Sequence, residues 1–171
     1  TISSMAATIS IDIKPPTVRD DRQYTVLANG KDITWEIRSP EVDAHVSEVA
    51  AHSGVRRVLT SQMRTIGQRG QVVMVGRDIG TVVMPHAQLK LYIDASLEER
   101  AQRRHNQNLA RGLDISYEDV LNNVKLRDQT DSLRHSAPLR AAVDAHIIDT
   151  SQMDLHQVFA EVLTLISSDA D

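Results

Sequence analysis

Hydrophobic and polar positions change rhythm partway along this chain. Thr8 to Ile13 alternates with β-branched residues, and Tyr24 to Leu27 leads into the turn pair Asn29-Gly30 with Ile33 continuing beyond it. This opening predicts a small antiparallel sheet. Pro40-Glu41-Val42 then starts a helix with Ser39 at the N-cap position and Val42, Val46, Val49 and Ala50 at helical spacing. A second helix is predicted from Val55 to Ile66, with Val55, Leu59 and Met63 on one face.

From Gln71 the pattern becomes continuous rather than periodic. Val72-Val73-Met74-Val75 predicts a buried strand running into the polar loop Gly76-Arg77-Asp78-Ile79-Gly80-Thr81. Leu89 to Ile93 predicts a similar strand, and Ser96-Leu97-Glu98-Glu99 fits the capping box that opens a helix. Ser116 to Arg127 reads as helical, His146 to Asp149 as a third short buried strand, and Leu155 to Ile166 as a final helix. Buried strands alternating with helices imply an α/β fold whose parallel sheet is covered on both faces. The seam between the two rhythms lies at Val49 to Val55, so a small antiparallel lobe is expected to be inserted into, or attached to, that core.

Composition narrows the class. The 171 residues are 41% hydrophobic and 25% charged, as expected for one ordinary globular domain. Runs such as Val72 to Val75 are far too short to cross a bilayer, and no signal-peptide pattern follows Thr1, so a cytoplasmic location without a membrane partner is expected. The absence of cysteine excludes disulfides, thiol nucleophiles and thiolate zinc sites. No HExxH spacing occurs among the seven histidines, and no metal role is expected for His45 or His52. A net charge of -4 gives no global field for nucleic acid, and nothing in the pattern suggests an apolar seam, so a monomer is expected. Fifteen of the 19 basic residues are arginine, whose planar fork suits phosphate, although a GC-biased genome accounts for the same skew.

Three segments carry candidate chemistry. Gly76 to Thr81 places Arg77 and Asp78 between glycines at the end of an apolar strand, the edge at which open α/β sheets bind ligands. A purely structural Arg-Asp turn is the alternative. Arg100, Arg103 and Arg104 share a helix face, where an anion would relieve their repulsion, or where Glu98 and Glu99 would do so as part of a solvated surface. Arg127, Asp131 and Arg134 fall on one side if that helix continues, either to meet a sugar and a phosphate or as an intrahelical ladder. No Gly-x-x-x-x-Gly-Lys-Ser/Thr motif is present.

The stretch from Val55-Arg56 through Gly76-Arg77-Asp78-Ile79-Gly80-Thr81-Val82-Val83 to Ala95-Ser96-Leu97-Glu98-Glu99-Arg100-Ala101-Gln102-Arg103-Arg104 resembles bacterial cytidylate kinase. The likeness runs from about Ile9 to Ile166 and includes Glu36-Ile37-Arg38, the Arg127 to Arg134 block and Ala137-Pro138-Leu139. It implies a P-loop kinase-like α/β fold, with a three-layer parallel sheet, helices on both faces and an inserted nucleotide-monophosphate lobe. The implied layout places that lobe at 5–50, core at 51–98, a lid at 99–115 and core again at 116–171. The implied activity is transfer of the γ-phosphoryl of ATP, with Mg2+, to CMP or dCMP in pyrimidine metabolism.

By the same resemblance Ser47, Arg56 and Asp78 surround the cytosine, while Arg77 and Arg134 hold the CMP phosphate. Arg127 and Asp131 lie near the sugar, and Arg100, Arg103 and Arg104 are lid arginines over the transferring group. The family's first strand and its Walker A loop would precede Thr1, so the residues that cradle the ATP phosphates are not among those named. An incomplete record of a full kinase is the favoured expectation, and a truncated, catalytically inactive CMP-binding module the alternative.

Overall fold

In a computed structural model the chain is described at residues 2–133 and 137–168 and divides into two compact units, Thr1–Ile66 and Gly67–Asp171. The first unit begins with helix α1 (Ile2–Thr8), followed by strands β1 (Ile11–Lys14), β2 (Thr25–Ala28) and β3 (Lys31–Asp32) in an antiparallel sheet of order β1-β2-β3. Asn29 and Gly30 both take positive φ, 51° and 79°, which closes the β2–β3 turn as the Asn-Gly pair predicts. Ile11 pairs with Ala28 and Lys14 with Thr25, while Thr34 turns its hydroxyl onto the Val26 amide at 2.9 Å. Thr25, Val26, Thr34 and Val55 are the buried residues among those described in this unit.

A short 3₁₀ turn (Glu36–Arg38) leads to helices α2 (Pro40–Ala51) and α3 (Ser53–Gly67). Ser39 caps α2 through its hydroxyl on the Val42 amide, with Pro40 in the first turn, where the missing N–H costs nothing. Helix α1, which the alternation from Thr8 does not anticipate, lies directly on the start of α3. A side-chain carbon at Gly54 would fall 2.2 Å from Ser3 Oγ, so any other residue there would push the Ser3 hydroxyl aside.

The second unit contains a π-helical turn (Ile79–Val83), β4 (Leu91–Asp94), α4 (Leu97–Ala110), α5 (Tyr117–Leu133), β5 (His146–Asp149) and α6 (Leu155–Ser168). β4 and β5 pair in parallel, Leu91 with His146 through Asp94 with Asp149, and α4 packs along α5. Ser96 accepts from the Glu99 amide at 3.1 Å and Ser116 from the Asp119 amide at 3.1 Å, so each hydroxyl satisfies an otherwise orphaned first-turn donor. Among the described residues of this unit Val83, Ala95, Ala101, Val120, Ala137 and Ile148 are the buried apolar ones, and Asp78, Lys90, Asn108, Asp131 and Thr150 are buried as well. No helix among the described residues is long and apolar enough to cross a membrane.

The mixed α/β class with a parallel pair matches the expectation from the sequence, but one expectation fails. Val72 to Val75 forms no strand; Val73 and Val75 are 93% and 94% exposed. A strand exists through its ladder, and no described strand pairs with this segment, so β-branched propensity alone does not extend it into a sheet.

Candidate functional site

The loop after Val75 folds back into the π-helical turn because the Asp78 carbonyl accepts from both Val82 and Val83, at 2.9 and 3.2 Å. This leaves Asp78 buried at the root of the turn. Arg77 turns toward α5 instead. Its Nη1 donates to Asp128 Oδ1 at 3.2 Å and pairs with Asp131 Oδ2 at 2.8 Å. Among the described residues nothing bonds its Nε–Nη2 edge, the side that grips a phosphate or carboxylate in bidentate fashion.

Asp128 has a second partner. Its Oδ2 accepts from Arg100 Nη1, and Arg100 Nε donates to the Ala95 carbonyl at 2.9 Å, which fixes the Arg100 side chain against the first turn of α4. One carboxylate therefore joins the Gly-Arg-Asp loop to the arginine helix. Asp131, one turn further along α5 and almost fully buried, shares only Arg77 of these two, and its carbonyl accepts from the Leu139 amide at 2.9 Å.

The cluster carries excess positive charge. Burial depresses the Arg104 pKa from its ordinary value, and the neighbouring Arg127 and Arg111 depress it further. Burial is also the leading cause at Arg127, with Arg77 adding to the depression and Asp131 and Asp128 opposing it. Half-buried like charges that repel one another favour an incoming anion. Arg100, Arg103, Arg104 and Gln107 also line an open cavity of about 340 Å³.

Arg103 is held differently. Its Nε donates to Glu99 Oε1 at 2.8 Å, Nη1 to Thr150 Oγ1 at 3.0 Å and Nη2 to the Thr150 carbonyl at 2.7 Å, so it ties α4 to the end of β5. Thr150 itself bonds Asp94 O through both its amide and its hydroxyl, each at 2.8 Å. Ser47 on α2 and Arg56 on α3 are half-buried within the first unit. Arg134 lies outside the described residues.

Of the sequence-predicted residues, Arg77, Arg100, Arg104, Arg127 and Asp131 thus come together in the second unit, with Asp78 adjoining in the chain. Asp128 and Thr150 were missed. Only the three-residue step from Asp128 to Asp131, which puts both on one face of a helix, marks the first in the sequence. Among the described residues no group of three carboxylates or imidazoles could hold a metal ion.

A parallel α/β pair flanked by arginines, one of them with an open bidentate edge, is an arrangement chemically suited to a phosphate or carboxylate. The chain belongs to the cytidylate kinase family, which it matches across residues 2–168. It is 48% identical to the cytidylate kinase of Herpetosiphon aurantiacus over 169 residues, covering 99% of this chain and 72% of that protein. The cytidylate kinase of Roseiflexus castenholzii is 44% identical, again over 99% of this chain and 72% of the relative, and that of Bacillus subtilis 40% identical over 91% and 68%. All three relatives are cytidylate kinases by name.

Proposed function

We propose that this protein phosphorylates CMP or dCMP to CDP or dCDP, with ATP as donor. A phosphate oxygen of the monophosphate forms a bond to the γ-phosphorus of ATP while the bond to the β,γ-bridging oxygen breaks and ADP leaves. Such transfers depend on positioning and on neutralising charge that spreads over the equatorial oxygens. The single observation that carries the reading is the open Nε–Nη2 edge of Arg77, with its Nη1 already fixed by Asp128 and Asp131. A guanidinium held at one end offers the other to an anion with little ordering cost.

In this reading Arg77 and Arg134 receive the CMP phosphate and Arg127 and Asp131 lie by its sugar. Ser47, Arg56 and Asp78 read the cytosine: its exocyclic amine donates to the aspartate and its carbonyl accepts from hydroxyl or guanidinium donors. UMP would instead point a carbonyl at Asp78 and leave two acceptors opposed. Arg100, Arg103 and Arg104, in the 99–115 lid, face the transferring group, and residues 5–50 form the monophosphate lobe. The arginine cluster suits the donor's phosphates in charge. Mg2+ enters as the companion of those phosphates rather than as an ion that these side chains hold.

The same arginine arrangement suits a second reading, CMP binding without transfer. Initial rates of CDP formation from ATP and CMP by the complete protein decide between them. Turnover with CMP well above that with UMP supports the kinase; CMP binding with no CDP supports the second reading, and absence of both overturns the two.

A further inference from the structure

We infer that Asp128 is a positioning residue that couples the substrate-phosphate arginine to the arginine helix, a role that rests on the kinase reading. The two guanidiniums it joins lie far apart in the chain, 51 residues away for Arg77 and 28 for Arg100, and each gives its Nη1 to a different oxygen of this one carboxylate. Two cations drawn to one place repel unless a charge lies between them. Asp128 supplies that charge and sets the direction in which each guanidinium faces.

The two partners depend on Asp128 unequally. Arg77 keeps Asp131 at 2.8 Å, so it stays anchored without Asp128. Arg100 keeps only its Nε bond to the Ala95 carbonyl, and its distal end loses the group that aims it. Loss of Asp128 therefore falls on the α4 side of the site. In the proposed reaction that side stabilises charge in the transition state, whereas Arg77 binds the ground-state phosphate. Asp128 touches neither the substrate nor the donor in this account and acts through the arginines.

The test compares kcat and the KM for CMP of the complete protein with Asp128→Ala, the near-isosteric Asp128→Asn and Asp128→Glu. Expected for Ala and Asn is a fall in kcat of roughly tenfold or more, the range typical of residues that orient a reacting group's ligands, with KM for CMP within about threefold. Glu, with two carboxylate oxygens on a longer stem, is expected to recover most of kcat. A parallel loss of kcat and CMP affinity with no recovery by Glu would mean a merely structural role and overturns the inference, as does an unchanged kcat in Asn. If Ala does not fold, Asn and Glu alone decide. An unsubstituted protein with no turnover on CMP overturns the kinase reading itself, and the inference with it.

Discussion

Arg103 grips Thr150 with both terminal nitrogens, Nη1 on the hydroxyl at 3.0 Å and Nη2 on the carbonyl at 2.7 Å. The arginine helix is thereby fastened to the C-terminal end of the parallel pair, where Thr150 is almost fully buried. Arg103→Ala is expected to lower stability by about 1 kcal/mol, because two bonds to a buried partner are lost while Thr150 keeps Asp94. Turnover is expected to fall more than CMP affinity. Denaturant unfolding together with calorimetry of CMP binding checks both, and a loss confined to binding would contradict the lid assignment.

Acid should loosen the N-terminal lobe through a defined pair of carboxyls. Arg22 holds Asp20 with Nε and Nη2, both at 2.6 Å, and Asp32 with Nη1 at 2.5 Å, while Trp35 Nε1 donates to Asp20 at 2.7 Å. These bonds, that of Arg22 first, hold the Asp20 carboxyl well below its usual range; that of Asp32 is lowered to about 2, first by Thr34 and then by Arg22. Both values lie below those of the unfolded chain, near about 4. Their contribution is therefore complete above that range and is lost as pH falls below about 4, down to about 2 for Asp32 and lower still for Asp20. Trp35 is the only tryptophan, so its fluorescence in urea titrations at descending pH reports on this lobe. Asp20→Asn should flatten the decline, and an unchanged slope would show that other carboxyls govern it.

A buried lysine makes a second stability test. Lys90 Nζ bonds Asp144 Oδ2 at 2.5 Å with its side chain only 7% exposed, and this bond is the first cause of the lowered Asp144 pKa. Removing the carboxylate leaves a buried charge uncompensated, whereas removing the charge leaves an apolar stem in place. Asp144→Asn should consequently lower the melting temperature more than Lys90→Met. The reverse order in thermal unfolding would show that the Lys90 charge is not buried in solution.

For base selection, Asp78→Ala is expected to erode the preference for CMP over UMP by about tenfold or more while leaving the KM for ATP nearly unchanged. Steady-state kinetics with both monophosphates measure this. Equal losses for the two would remove Asp78 from the cytosine-reading role.

What the sequence reveals of this fold depends on how local each determinant is. The caps at Ser39 and Ser96 are legible because each is a bond spanning three residues, and β4 and β5 because their apolar runs find each other. Val72 to Val75 is more uniformly apolar than those strands but has no described partner, and extension needs one. Helix α1 is short and serine-rich, and its place on α3 depends on a tertiary feature, the bare Gly54 against Ser3. Asp128 was hidden for the same reason, since its significance lies in two contacts distant in the chain. The glycine-bracketed Arg77-Asp78 and the arginine helix were legible as charges lacking a local reason, which is how a ligand site announces itself in one dimension.

The account turns on whether Arg77 receives a phosphate on its open edge, and calorimetry of CMP against cytidine, with the unsubstituted protein and Arg77→Lys, tests it most directly. The expected result is that CMP binds much more tightly than cytidine and that Arg77→Lys, which loses the fork, removes most of that difference while cytidine binding is kept. CMP binding no tighter than cytidine, or the same discrimination by Arg77→Lys, would contradict it.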